Sequence, residues 1–350
     1  AGDNLGFTVA KAGRVDADAN DDVVIGAPKA DTLVDGKKLS NAGQALVCSG
    51  AVMAAVASPQ DNACEATTGN PNSALFFVNG GTAGDQLGTA VAGAGDVDGD
   101  THDDVVIGLP RADVDGKKDA GAAVVYSGLD GTEWARVTGE AAGDWFGYSV
   151  SGAGDLDSDG KADIVVGAYR HTATITVKGK DKPAKQAGAV YAYACVTQNV
   201  CTPVFSPRYG EAAGDRLGWS VAAGGDIDHD GQNDVVAGAP GRDRTLPPVP
   251  PNTKGKVLKD VGAVYLLNGA TGVSIHEPVL GVRAKDNRGI CLANGGDINL
   301  DGYSDIITSA PKADTQKWVP NKNPAKPPKL ITIKDVGFVE VMSGRIASGD

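Results

Sequence analysis

An aspartate-rich loop returns five times along these 350 residues, and a chain built that way is a repeat architecture before it is anything else. The loop reads GDVDGDTHDD from Gly95, GDLDSDGKAD from Gly154, GDIDHDGQND from Gly225 and GDINLDGYSD from Gly296, with a weaker GRVDADANDD from Gly13. Successive copies lie 59 to 82 residues apart. Each follows a short opener: AGDNLGFTVA, AGDQLGTAVAGAG, AGDWFGYSVSGAG, AGDRLGWSVAAGG or the degenerate AKDNRGICLANGG. Each is followed at once by an apolar run, DVVIGAP, DVVIGLP, DIVVGAY, DVVAGAP or DIITSAP. A variable loop, a third apolar run such as AGAAVVYSG, a turn and a weaker fourth run complete the unit.

Four short β-rich runs per unit, punctuated by Gly, Pro and Asx turns, predict a four-stranded antiparallel meander. Helical periodicity is missing, and 49 glycines with few aromatic residues favour a turn-rich chain. A four-stranded sheet repeated radially is a propeller blade, and the small Gly and Ala residues of the first run suit inner strands that converge. The expected fold is therefore all-β: one β-propeller domain over residues 1–350, with repeats at about 1–82, 83–141, 142–212, 213–283 and 284–350. The last unit stops after its third run, GFVEVMSG, so the expected fifth blade lacks its outer strand and leaves an edge that proteins usually cover. The chain starts inside a unit, as a cleaved leader or a longer polypeptide would leave it.

Carboxylates at positions 1, 3, 5 and 9 of a short loop are what a hard cation with oxygen ligands requires. The second loop offers Asp96, Asp98, Asp100 and Asp104, with a backbone carbonyl from His102. The third offers Asp155, Asp157, Asp159 and Asp163 with Lys161 at the carbonyl position, and the fourth Asp226, Asp228, Asp230 and Asp234 with Gln232 there. The fifth offers Asp297, Asn299, Asp301 and Asp305 with Tyr303, one amide replacing a carboxylate at some cost in affinity. Gly160, Gly231 and Gly302 supply the bend, which Thr101 makes without glycine. In the first loop Arg14 precedes Asp16, Asp18, Asn20 and Asp22; its guanidinium either replaces the cation or leaves a weakened fifth site. The expectation is four Ca²⁺ sites, with solvated acidic turns as the alternative. An EF-hand is excluded, because position 12 is Ile107, Val166, Ala237 or Thr308 rather than a bidentate Glu.

Taken together, the units resemble FG-GAP repeats, the blade motif of integrin α-subunit propellers and of many secreted bacterial proteins. The residues that carry the likeness are Phe146-Gly147 (Leu-Gly in three other units), the DxDxDGxxD loop, and Gly26-Ala27-Pro28 with its equivalents. The resemblance implies a β-hairpin Ca²⁺ site between the first two strands of each blade. The best-known members have seven blades, against five units here.

Cys48 with Cys64, and Cys195 with Cys201, flank two expected hairpin ends; two disulfides there would mean an oxidising compartment. The alternative is four unpaired small hydrophobic residues, and Cys291 is expected to be a buried thiol. The formal charge is −12, but the five loops between the second and third runs hold 22 of the 32 Lys and Arg residues. Those loops leave the sheets at the end opposite the acidic loops. This polarity suggests recognition of a protein or acidic glycan through long basic loops, or simply solvated Lys-rich decoration. Nucleic acid is not expected, given the negative charge and the lack of aromatic residues in most of these loops.

No catalytic constellation is visible: HExxH, GxSxG and a phosphate-binding glycine loop are all missing. His102 and His229 fall in the acidic loops, while His171 and His276 stand alone. No run of 18 apolar residues and no secretory signal is present. The leading expectation is a non-enzymatic, extracellular, Ca²⁺-stabilised propeller for adhesion or binding. Its competitor is a structural subunit that polymerises with copies of itself by strand donation or stacking of faces. A polysaccharide-acting enzyme is the lesser alternative.

Overall fold

In a computed structural model of the chain, the repeated grammar becomes five antiparallel sheets in chain order. The structure describes residues 2–16, 18–51, 74–248, 255–313, 315–319, 329–333 and 337–343. The first sheet runs Thr8–Gly13, Asp22–Ala27, Gln44–Cys48 and Ala74–Asn79; the second Ala90–Gly95, Asp104–Leu109, Ala122–Tyr126 and Glu133–Thr138. The third is Ser149–Gly154, Asp163–Ala168, Ala189–Thr197 and Val200–Pro203, with Arg208–Tyr209 also paired to its third strand. The fourth is Ser220–Gly225, Asp234–Ala239, Ala263–Leu267 and Val279–Leu280. In the fifth, Leu292–Gly296, Asp305–Ala310 and Phe338–Met342 are the described strands.

The core lies between the sheets. Val106, Val125, Val150 and Val166 join the second sheet to the third, and Val24, Val47, Val105 and Val124 join the first to the second. Equivalent layers link the third to the fourth and the fourth to the fifth. The second strands of the three middle sheets are buried along their whole length, which is why DVVIGL, DIVVGA and DVVAGA read as continuous apolar runs rather than alternating ones. The first and fifth sheets each keep apolar residues exposed, among them Val9 and Phe77, and Val339 and Val341.

Inner strands crowd one another as the small residues of the first run required. A Cβ added at Gly93 would come within 2.8 Å of the Lys11 and Ala12 carbonyls, and one at Gly152 within 2.6 Å of the Gly93 carbonyl. One cavity of about 510 Å³ is lined by the beginnings of all five inner strands, from Phe7–Val9 round to Ile290–Leu292.

The glycines of the opener and of the second strand meet each other. A Cβ on Gly26, Gly108, Gly167 or Gly238 would collide with the carbonyl oxygen of Gly88, Gly147, Gly218 or Gly289 respectively. Each contact runs from the second strand of one sheet to the turn entering the next. Meanwhile the N–H of Gly88, Gly147 and Gly218 donates to the Gly108, Gly167 and Gly238 carbonyls within its own repeat, at 3.1 Å in each case. The fully buried Phe146, Leu87 and Leu217 sit beside these turns as plugs. In the degenerate fifth repeat Arg288 takes the plug position, buried and paired with Glu340 at 2.7 Å.

The Lys-rich loops between second and third strands are more ordered than their composition suggested. Four carry a hairpin: Thr32–Val34 with Lys37–Leu39, Ala173–Val177 with Lys180–Ala184, Arg244–Thr245 with Val257–Leu258, and Thr315–Val319 with Lys329–Ile333. Cys195 and Cys201 face each other across the third and fourth strands of the third sheet and are disulfide-bonded. Cys48 is disulfide-bonded too, while Cys64, its expected partner, lies outside the described residues. Cys291 departs from expectation: it is a free, exposed thiol. It immediately precedes the inner strand of the fifth sheet, where it lines the cavity rather than a sheet-to-sheet layer.

Candidate metal centres and the opposite face

Each aspartate loop is the hairpin connection between the first and second strands of its sheet. The four stronger loops share one hydrogen-bond plan. Position 1 grips the bend: Asp96 accepts from the N–H groups of Gly99, Asp100 and Thr101 at 2.6, 3.1 and 2.9 Å. Asp155, Asp226 and Asp297 each accept from the position-5 and position-6 N–H groups at 2.9–3.2 Å. Position 5 supports position 7, with Asp100, Asp159, Asp230 and Asp301 accepting from His102, Lys161, Gln232 and Tyr303. Positions 4 and 6 both lie in the left-handed region, Gly160, Gly231 and Gly302 at φ near 90° and Thr101 at 79°. Thr101 thus makes its bend against its own Cβ.

Position 9 is different in kind. Asp22, Asp104, Asp163, Asp234 and Asp305 are all buried at the start of their second strands. Each accepts from the position-2 N–H, at 2.7–2.9 Å, closing the loop on itself. The second oxygen of Asp22, Asp104 and Asp234 reaches across to the N–H of Gly50, Gly128 or Gly269 after the third strand. Burial pushes Asp104 and Asp163 up to about 7 and Asp234 up to about 6, against the lowering effect of those N–H groups.

This has a consequence for stability. An unfolded Asp titrates near about 4, so between that pH and the folded values the folded state holds protons that the unfolded state releases. Stability of the metal-free protein therefore falls as pH rises from about 5 to 8, by up to about 1.4 kcal/mol per pH unit for each such group. Protein stripped of metal by dialysis should melt several degrees higher at pH 5 than at pH 8, and adding back a divalent cation should reverse the sign, because the cation competes with the proton. Equal melting temperatures at the two values without metal would count against burial of these carboxyls.

Three loops bring carboxylates close enough to share an ion. One oxygen each from Asp96, Asp98 and Asp104 lies within 4.8 Å of the others, as do oxygens of Asp155, Asp157 and Asp163, and of Asp226, Asp228 and Asp230. All-oxygen donors at that spacing suit a hard cation, and without one they repel. Burial, then Asp100, pushes the Asp98 carboxyl up, as expected of a crowded site. In the fifth loop Asn299 joins Asp297, Asp301 and Asp305, its Oδ1 accepting from the Asp301 N–H at 2.9 Å.

The first loop follows the plan only in part. Asp16 and Asp18 make their short-range bonds, and Asp22 is buried. Arg14 is exposed, and its guanidinium forms no ion pair with Asp16, Asp18 or Asp22, so the arginine plug finds no contact to rest on. Arg14 acts through its backbone instead: its N–H donates to Asp103 Oδ2 at 2.7 Å and its carbonyl accepts from the Asp103 N–H at 3.2 Å. Such bridges recur between successive loops, with Ala162 N–H to the Asp96 carbonyl at 2.9 Å and Ser304 N–H to Asp226 at 3.4 Å. Lys161 adds a side chain, donating from Nζ to the Asp98 carbonyl at 2.8 Å. Three of the four junctions between successive acidic loops are thus bridged among the described residues.

At the other end of the strands lies a feature that the sequence did not reveal. The fourth residue of every opener, Asn4, Gln86, Trp145, Arg216 or Asn287, has a left-handed backbone with φ between 52° and 59°. Glycine would suit such a position, and a tryptophan there is costly. Trp145 carries Arg170 at 4.5 Å and Arg111 at 5.0 Å from its ring centroid. Its ring neighbours are Tyr148 and Tyr169, which in turn pack against Trp219, with Tyr148–Tyr169 and Tyr169–Trp219 centroids 4.5 and 4.7 Å apart. The cluster escaped notice because three different repeats supply its members. Two opener aspartates act here as well: Asp144 pairs with buried His171 at 2.9 Å and Asp215 with Arg242 at 2.8 Å, fixing the roots of the basic loops.

The FG-GAP repeat family matches this chain at residues 146–193 and 217–267. Integrin alpha-5 of Xenopus laevis is 30% identical over 236 residues, covering 65% of this chain and 20% of that protein. Integrin alpha-V of Gallus gallus is 30% identical over 238 residues, with the same shares. The chain therefore spans about a fifth of the length of these relatives. Among solved structures, a rhamnogalacturonan lyase of Bacillus licheniformis aligns over 85% of this chain and 54% of its own, at 14% identity and a TM-score of 0.39. A likeness that weak carries no argument about chemistry.

Proposed function

From the premise that this is a chain of FG-GAP repeats similar to integrin α-subunits, we propose that it is an extracellular binding module. Its blades are fastened at one end by Ca²⁺, and it engages a protein or acidic glycan at the other. The observation that carries the reading is the separation of two chemistries along the strands. Clustered carboxylates occupy one end, while hairpin-bearing basic loops and an arginine–aromatic cluster occupy the other. The Cys195–Cys201 disulfide fits an oxidising compartment, and no helix among the described residues is long and apolar enough to cross a membrane.

Four Ca²⁺ ions would be held by Asp96, Asp98, Asp100 and Asp104; by Asp155, Asp157, Asp159 and Asp163; by Asp226, Asp228, Asp230 and Asp234; and by Asp297, Asn299, Asp301 and Asp305. Carbonyls of His102, Lys161, Gln232 and Tyr303 complete the sets. The ion neutralises carboxylates that otherwise repel, so its role is to hold the loops, and through them the sheets, in register. Ligand recognition is assigned to the opposite end because long loops on a rigid scaffold are free to vary.

An array of extracellular-matrix proteins and of acidic and neutral glycans, probed with the labelled protein in Ca²⁺, tests this. Saturable, selective binding is expected, weakened by charge reversal at Lys180 and Lys182 in the loop hairpin of the third sheet. A blank array together with concentration-dependent assembly in sedimentation would overturn it in favour of the polymer-forming reading.

A further inference from the structure

Two groups of arginines stand out at the basic end. Arg136, Arg242 and Arg288 are paired with carboxylates. Arg111, Arg170 and Arg216 pair with none among the described residues, and rest instead over Trp145 or Trp219. All three act on Tyr169: burial pushes its hydroxyl up, and Arg170, Arg216 and Arg111 pull it down. Of the acids at this end, Asp144 is committed to His171 and Asp215 to Arg242, while Asp85, whose carbonyl accepts from the Arg111 N–H at 3.4 Å, has its carboxylate bonded to Thr82. Arg111 and Arg170 share one indole, and guanidiniums on π faces without a carboxylate partner keep N–H donors suited to an anion.

Beside it lies a cavity of about 220 Å³ floored by Phe7, Pro28, Pro110, Trp145 and Tyr148. Its polar members include Lys29 and the side-chain amides of Asn4 and Gln86, neither amide hydrogen-bonded among the described residues. The volume takes one six-membered ring with its substituents. Flat aromatic faces suit the C–H face of a pyranose, the amides suit ring hydroxyls, and the guanidiniums suit a ring carboxylate. An acidic peptide would satisfy the arginines but leave the amides and the aromatic floor without complementary groups. The left-handed backbone at Asn4, Gln86 and Trp145 sets all three side chains on this rim, strain of the sort that concentrates at ligand clamps.

We propose that this pocket binds one uronate residue of an acidic polysaccharide, with Trp145 and Tyr148 as the stacking floor and Arg111 and Arg170 holding the carboxylate. The assignment rests on the binding-module reading above and names its ligand class and site. Isothermal titration of the Ca²⁺-loaded protein with a hyaluronan octasaccharide, chitohexaose and hexaglutamate as three probes tests it. Saturable octasaccharide binding is expected, at least about tenfold tighter than either control, the cost of losing a charge-assisted pair or a stacked ring. Arg170→Gln, at a half-buried position remote from the core, should weaken it about tenfold with an unchanged melting temperature. Trp145→Ala should do the same, and Trp145→Phe should restore most of the loss.

Octasaccharide binding that is absent, or indifferent to Arg170→Gln and to the Arg111→Gln/Arg170→Gln pair, overturns the site. Hexaglutamate binding as tightly overturns the sugar assignment in favour of an acidic peptide. In either case a positive protein array leaves the broader binding reading standing; a blank array as well removes both.

Discussion

Excess chelator should lower the melting temperature by at least about 10 °C relative to the Ca²⁺-loaded protein. The estimate follows from linkage: an ion at a hundred times its dissociation constant stabilises the native state by about 2.7 kcal/mol per site, and four sites reach the order of 10 kcal/mol. The fall should exceed that of an ordinary ion site because the loops are joined. Releasing the ion beside Asp96 frees a loop whose carbonyls accept from Ala162 and Lys161 of the next. Calorimetry in millimolar Ca²⁺ and in chelator decides the matter. A superimposable pair of melts would remove the metal from the account of stability. Asp157→Ala should reproduce part of the loss, since it strips one oxygen from the converged set of Asp155, Asp157 and Asp163.

The second large effect is expected from a single methyl group. Gly108→Ala should cost about 4 kcal/mol or more, at the far tail of point substitutions. The new Cβ would run into the Gly147 carbonyl, backbone against backbone, with no side chain able to move aside. Gly116→Ala is the contrasting control. Gly116 has a positive φ, 76°, which Gly108 does not, and nothing lies within 4 Å of its Cβ position. Its cost should be about 1 kcal/mol, the conformational part alone. Urea denaturation of the two variants separates steric contact from backbone preference. Similar midpoints would mean that the sheets can slide apart at this contact at little cost.

Much of the fold was legible because its chemistry is local. A hard cation demands carboxylates at fixed offsets, so the loops around Asp96, Asp155 and Asp226 announced both themselves and the hairpins that hold them. Strands such as Asp104–Leu109 were readable from a run too apolar for one-sided burial. What stayed hidden was assembled across repeats. The loop hairpins, such as Ala173–Val177 with Lys180–Ala184, are Lys-rich and mostly exposed, so they carry no alternation to read. The left-handed position is held by Asn, Gln, Trp, Arg and Asn in turn, with no glycine to mark it. Arg14 looked like a plug by its place in the motif, yet its side chain points to solvent and only its backbone is engaged. Cys291 looked like a core residue because strands usually bury one, but it precedes an inner strand and lines the cavity.

The glycine-to-carbonyl contact has a further meaning for how such a chain is inherited. Gly26 answers to Gly88, Gly108 to Gly147, Gly167 to Gly218 and Gly238 to Gly289, always across a sheet boundary. Each repeat carries one half of two such contacts, a turn at its entry and a seat on its second strand. A copied repeat therefore brings both halves: its turn fits the seat before it, and its seat fits the turn after it. The contact thus lets a chain of this kind be lengthened by whole repeats.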